Sequence, residues 1–180
     1  MNKQKGKPMP DIHFRLRSFF FRIRDLFINP GRELEKLGLK EGQTVLDFGC
    51  GPGSYAIPAA QMVGPWGKVY ALDIHPLAVR SVEKKAKKEG LINITTVLSD
   101  KDTGLQDQSI DVALAYDMIH MVKDKRALAK GLYRVLKPNG LLSVIAEHVK
   151  VEDVLRILET DGLFSLGYRR GNLLNLKRTG

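Results

Sequence analysis

One cysteine, Cys50, stands in a chain of 180 residues, and nowhere does an apolar run reach membrane-spanning length. A single thiol excludes an internal disulfide framework and any zinc site built on several cysteines, and it is compatible with a reducing cytoplasm. A spanning helix needs roughly 18 or more consecutive apolar residues, so none is expected. Arginines interrupt the only early apolar stretch, so no secretory leader is expected either. No internal repeat is seen and no second domain is expected, and the length suits one domain with a full core. Acidic residues are the scarcer charge: 20 Asp and Glu against 29 Lys and Arg, for a net charge of +9. The excess lies at the ends, with +6 in residues 1–40, +3 in residues 156–180 and none in residues 41–155. Basic excess attracts nucleic acid, anionic lipid or acidic substrates, or only keeps a protein soluble. Here that role belongs to the termini and not to the body.

Within the neutral body one stretch organises the rest, Val45-Leu46-Asp47-Phe48-Gly49-Cys50-Gly51-Pro52-Gly53-Ser54-Tyr55. Residues 44–48 read as a buried strand and residues 55–63 as a helix, with glycine at every second position between them. Strand, glycine-rich turn and helix form the first half of a nucleotide-binding βαβ unit. Glycines accept positive φ and let a ligand lie against the backbone, and the helix start presents free N–H groups. Dinucleotide sites use G-x-G-x-x-G with a pyrophosphate on the helix N-terminus. Ser54 stands where the third dinucleotide glycine belongs, and the Asp47 carboxylate would repel a pyrophosphate. A ligand carrying positive charge suits the loop better. Acidic-x-Gly-x-Gly-x-Gly after a strand resembles the class I S-adenosylmethionine-dependent methyltransferases, whose cofactor carries an amino group and a sulfonium.

From residue 44 onward strands and helices alternate, which implies a parallel sheet. Strands are expected at residues 68–73, 93–99, 110–116 and 141–147, and helices at 76–89, 123–136 and 151–161. Residues 164–170 and 172–178 are expected as a hairpin around Gly171. The fold class is therefore α/β, a Rossmann-like doubly wound, mostly parallel seven-stranded sheet with a C-terminal antiparallel hairpin, as the resemblance also implies. The chain divides into a disordered basic tail (1–11), an N-terminal helical segment (12–40) and a cofactor-binding domain (41–180).

Ligands of open parallel sheets bind at the carboxyl ends of strands. Asp73 ends the second strand, about 20 residues past the glycine loop, where a carboxylate accepts from both ribose hydroxyls. The resemblance implies further contacts: Ile74 against the adenine, the Asp100 carboxylate on its amino group, and the Lys101 backbone N–H on a ring nitrogen. Asp47, Gly49, Cys50, Gly51, Gly53, Tyr55 and Tyr116 complete the implied cofactor set. The fourth strand ends at Tyr116-Asp117-Met118-Ile119-His120. It lacks the Asp/Asn-Pro-Pro-aromatic motif of base-methylating enzymes, which argues against the exocyclic amines of nucleobases as acceptors, and nucleic acid is not the expected partner. A histidine after this strand, with Leu136-Lys137-Pro138-Asn139-Gly140 ahead of the fifth, resembles the ubiquinone/menaquinone-biosynthesis-like (methyltransferase type 11) branch. The lone cysteine argues against methylation of metalloid thiolates. His148 follows the fifth strand, so two histidines are expected at one cleft. His120, His148 and Asp117 are the candidate catalytic groups, as acceptor-orienting side chains or a base. A third ligand for a metal is missing.

Residues 12–28 have helical period. Ile12, Leu16, Phe19, Phe20, Ile23, Leu26 and Phe27 form one stripe, Arg15, Arg17, Arg22 and Arg24 flank it, and Phe14 and Phe21 fall on the far face. Three readings stand: a helix packed on the domain, a lid over the substrate, or a peripheral membrane-surface helix. The function implied is methyl transfer from S-adenosyl-L-methionine to a small-molecule acceptor in the cytoplasm, leaving S-adenosyl-L-homocysteine. The alternatives are an NAD-dependent oxidoreductase and a non-catalytic module binding RNA or membrane through its basic termini.

Overall fold

The computed structural model describes residues 8–99 and 103–180. Asp100 and Lys101, named above for the adenine, lie outside the described residues, as do positions 1–7 of the basic tail. The strands form one seven-stranded sheet in the order β3-β2-β1-β4-β5-β7-β6, with β1 at Thr44–Phe48, β2 at Lys68–Asp73, β3 at Ile94–Leu98, β4 at Ile110–Tyr116, β5 at Leu136–Ile145, β6 at Phe164–Arg170 and β7 at Leu173–Arg178. The chain forms two compact units.

The first unit holds helices α1 (Asp11–Phe27), α2 (Pro30–Leu37), α3 (Ala56–Val63) and α4 (Pro76–Lys88) with strands β2 and β3. Local chemistry sets its helix boundaries. Asn29 caps α2, its side chain accepting from Arg32 N–H, with Pro30 in the first turn and Gly38 in the left-handed conformation after it. His75 caps α4 in the same way, ahead of Pro76. β2 and β3 pair in parallel from Val69 with Ile94 to Asp73 with Leu98. Leu34, Ala56, Ala59, Val63, Leu72 and Val82 are among the core side chains.

Helix α1 begins at Asp11 and is turned the opposite way from the sequence pattern. Phe14 is buried at 8% exposure, whereas Leu26 and Phe27, in the apolar stripe, are 82% and 84% exposed. Ile12, Leu16, Phe19, Phe20 and Ile23 are exposed as well. The far face takes the contact because its residues have specific partners, described below. Periodicity counts apolar side chains but does not show which face finds a mate.

The second unit holds β1, β4 to β7, α5 (Lys125–Val135) and α6 (Val151–Glu159). β4 runs parallel to β1 on one side and β5 on the other, which explains its unbroken apolar run. Asp111 fastens this strand to both neighbours, accepting from Thr44 N–H at 2.8 Å and from Lys137 Nζ at 2.8 Å. β5 starts at Leu136 and not at residue 141. Its pairing jumps from Ile110–Leu136 to Val112–Leu141, so the Lys137–Gly140 turn is a bulge inside one strand, with Asn139 at φ 61°. β7 lies antiparallel between β5 and β6.

Candidate active site

In the second unit, Asp47 near the end of β1 is buried at 2% exposure. Gly49 follows at φ 82°, and a Cβ there would stand 2.9 Å from Met118 Cβ. This position needs glycine for both conformation and space.

The remainder of the loop belongs to the first unit. Cys50 N–H donates to Leu72 O at 2.9 Å and Gly53 N–H to Cys50 O at 3.0 Å. Asp73 then organises the turn. Its Oδ2 accepts from Gly51 N–H at 2.9 Å, and its Oδ1 accepts from His75 N–H at 2.8 Å. A carboxylate has about four acceptor positions, so two are filled from the backbone and capacity remains for a diol. Ile74 is half-buried beside it. At Gly51 a Cβ would meet one described atom within 4 Å, a Phe21 ring carbon at 3.8 Å. Asp73, Ile74 and the bare glycine backbone fit the ribose and base of a nucleoside cofactor.

Helix α1 is fixed over loop residues 51–55. Arg17 and Arg24 lie over the Phe21 ring at 5.0 and 4.6 Å. Arg24 also reaches the buried Tyr55 ring at 5.8 Å. Ser54 Oγ donates to Asp25 Oδ2 at 2.5 Å, and Asp25 pairs with Arg24 at 2.9 Å. At the other end of the helix, Phe14 stacks on His75 with centroids 4.3 Å apart. His75 Nδ1 accepts from Leu77 N–H, so Nε2 carries the proton and donates to Met9 O at 3.0 Å. His75 and Asp25 escaped the sequence reading, as did the bond that Ser54 makes to Asp25. A histidine directly before Pro76 was a signal for the first, because it occupies a helix-cap position.

At the end of β4, the Tyr116 hydroxyl bonds Ser143 Oγ at 2.7 Å, which in turn donates to Asn175 Oδ1 at 2.7 Å. Its phenol hydroxyl is thus engaged inside the sheet. Asp117 is buried and adopts φ 54°, and His148 adopts φ 59°. Left-handed backbone at such residues concentrates at functional positions. A 3-10 turn over Ile119–Met121 carries His120 to His148, with ring centroids 5.1 Å apart and planes at 76°. The unit therefore brings the two imidazoles together, and His120 follows Asp117 closely in the chain. Among the described residues no group of three His, Cys, Asp or Glu side chains is placed to hold a metal ion, and no helix is long and apolar enough to cross a membrane.

Residues 39–164 match a family model described as a methyltransferase domain. The chain is similar to the aklanonic acid methyltransferase DauC of Streptomyces sp. strain C5, at 37% identity over 49% of this chain and 41% of that one. It is also similar to the nocamycin O-methyltransferase of Saccharothrix syringae, at 33% identity over 63% and 41%. It thus spans about two fifths of the length of these two relatives. A solved S-adenosylmethionine-dependent methyltransferase from Aquifex aeolicus is 30% identical, with a TM-score of 0.71 over 82% of this chain and 87% of that one. A structure from Methanococcus maripaludis shares the fold alone, at 16% identity and a TM-score of 0.81 over 99% of this chain and 97% of the other.

Proposed function

Because the chain belongs to the S-adenosylmethionine-dependent methyltransferases, we propose that it transfers a methyl group from that cofactor to a small-molecule acceptor in the cytoplasm. The bound cofactor supplies a methyl group activated by a positively charged sulfur. The observation that carries the proposal is the Asp73 carboxylate, which binds Gly51 N–H and His75 N–H and keeps acceptor positions for ribose hydroxyls. Gly51 keeps the backbone free of a side chain where the nucleoside would lie, Gly53 leaves room for Val82 of α4, and Ile74 offers an apolar surface to the base. Asp47 supplies a carboxylate suited to a cationic ligand. Ser54, whose hydroxyl is committed to Asp25, replaces the third glycine that an NAD site would need.

Displacement at a methyl carbon depends on alignment and exclusion of water. On the acceptor side His120 or His148 orients the acceptor or removes its proton, and Asp117 lies close to His120 in the chain. Hydroxyl acceptors come first, since the nocamycin relative is named for methylation at oxygen.

Incubation with methyl-labelled cofactor and a panel of small hydroxyl, amine and thiol acceptors tests the reading, with RNA as a control. Label is expected in a small molecule. Label in RNA alone, or in nothing, would contradict it. With the acceptor in hand, replacing the base, through His120→Ala or His148→Ala, should lower kcat by about 100-fold or more. Affinity for S-adenosylhomocysteine should stay unchanged in that variant. Turnover retained in both would remove the histidines from the chemistry.

A further inference from the structure

Helix α1 has two faces with opposite fates. Phe14 stacks on His75, Arg24 bridges the Phe21 and Tyr55 rings and Asp25 holds Ser54, so the inner face is fixed and the outer face stays outward. That outer face carries Ile12, Leu16, Phe19, Phe20, Leu26 and Phe27, all more than half exposed. At about 100° per residue they form a single stripe. Scattered exposed apolar residues need no explanation, but a contiguous patch marks a contact surface. Two exposed arginines, Arg15 and Arg22, run along one border, and His13, Arg17 and Arg24 lie toward the other.

We infer that this outer face of α1 docks the protein onto an anionic lipid surface. An amphipathic helix with aromatic and leucine side chains between arginines lies in the interfacial plane of a bilayer, with its apolar face among the acyl chains. The charge agrees. Residues 1–40 carry +6 while residues 41–155 carry none, so attraction to anionic headgroups concentrates on the segment that holds the apolar stripe. A second copy of the chain fits worse, because pairing two such faces brings arginine borders together. RNA would use the arginines but leave the aliphatic side chains in water. Docking leaves the inner face, with its contacts on loop residues 51–55, in place.

Flotation of the full chain with phosphatidylcholine vesicles, with and without about a third of phosphatidylglycerol, tests the inference. The readout uses neither cofactor nor acceptor, so its outcome is separate from that of the proposed transfer reaction. The chain should float with the anionic vesicles and lose binding as salt is raised. Phe20→Ser with Phe27→Ser should weaken binding at least about tenfold. Arg15→Gln and Arg22→Gln should each weaken it by on the order of fivefold. All four side chains point to solvent, so the melting temperature should hold, which separates lost docking from lost folding. Absence of flotation would overturn the inference. So would a stable dimer abolished by the two Phe→Ser changes, or an RNA complex that survives them.

Discussion

A side chain at Gly49 would have to enter space that Met118 already fills. Gly49→Ala meets both the contact at 2.9 Å and a left-handed backbone, and the conformation alone costs roughly 1–2 kcal/mol. Chemical denaturation should show a loss of about 2 kcal/mol or more. Adding Met118→Ala should recover only the contact part, so the double-mutant cycle should show coupling. Tyr116→Phe should cost about 1 kcal/mol, because it breaks the bond to Ser143, and it should leave cofactor affinity unchanged. The glycine spacing, Asp47 and Asp73 were legible in the sequence because loop geometry and strand ends are local properties. The commitment of the Tyr116 phenol was not, since Ser143 and Asn175 come from two distant strands. His120 and His148 were legible only as residues near strand ends, and the left-handed backbone at Asp117 and His148 left no mark in the pattern.

Helices and strands were read nearly to the residue wherever a cap or a glycine marks the boundary, as at Asn29, Pro76 and Gly90. Two elements departed from expectation. The turn ahead of β5 became a bulge, because pairing of Leu136 with Ile110 extends the strand backward. Helix α1 turned its smaller apolar face inward, because His75, Ser54 and Tyr55 supply partners that no periodicity encodes. His75→Asn should separate the two jobs of that histidine. Asn still caps α4, but the stack on Phe14 and the bond to Met9 are lost. Hydrogen exchange should then quicken at the start of α1 and stay slow in α4; equal loss in both would contradict the division. Lys85 on α4 tests the same seam. Burial holds its ammonium below the ordinary value of 10.5, with nearby Asp25 opposing and Arg22 adding to the shift. For a base whose pKa falls on folding, the unfolded chain binds the proton better, so stability at this site rises as pH climbs through the lowered pKa toward 10.5. Lys85→Met should therefore raise the melting temperature near neutral pH, and its advantage should shrink in alkaline buffer. An advantage that does not change with pH would place its origin outside charge burial.

At the scale of the whole molecule, the seven strands and the terminal hairpin were legible from alternating strands and helices ending in two short strands, whereas the strand order, with β7 between β5 and β6, was not. Each unit holds some of the residues proposed above for cofactor or acceptor. The first holds Asp73 and the loop from Cys50 to Tyr55, and the second holds Asp47, Gly49, Asp117 and the two histidines. What the sequence left dark at this scale was the acceptor, because acceptor contacts come from side chains with no fixed spacing. The cofactor is the central claim. Calorimetric titration with S-adenosylhomocysteine, alongside NAD and the Asp73→Ala variant, tests it most directly. Binding of S-adenosylhomocysteine alone is expected, weakened in the variant by about tenfold or more, since hydrogen bonds to a charged group contribute on the order of 1.5–3 kcal/mol each. Binding of NAD in its place, or affinity that survives loss of the Asp73 carboxylate, would contradict the account.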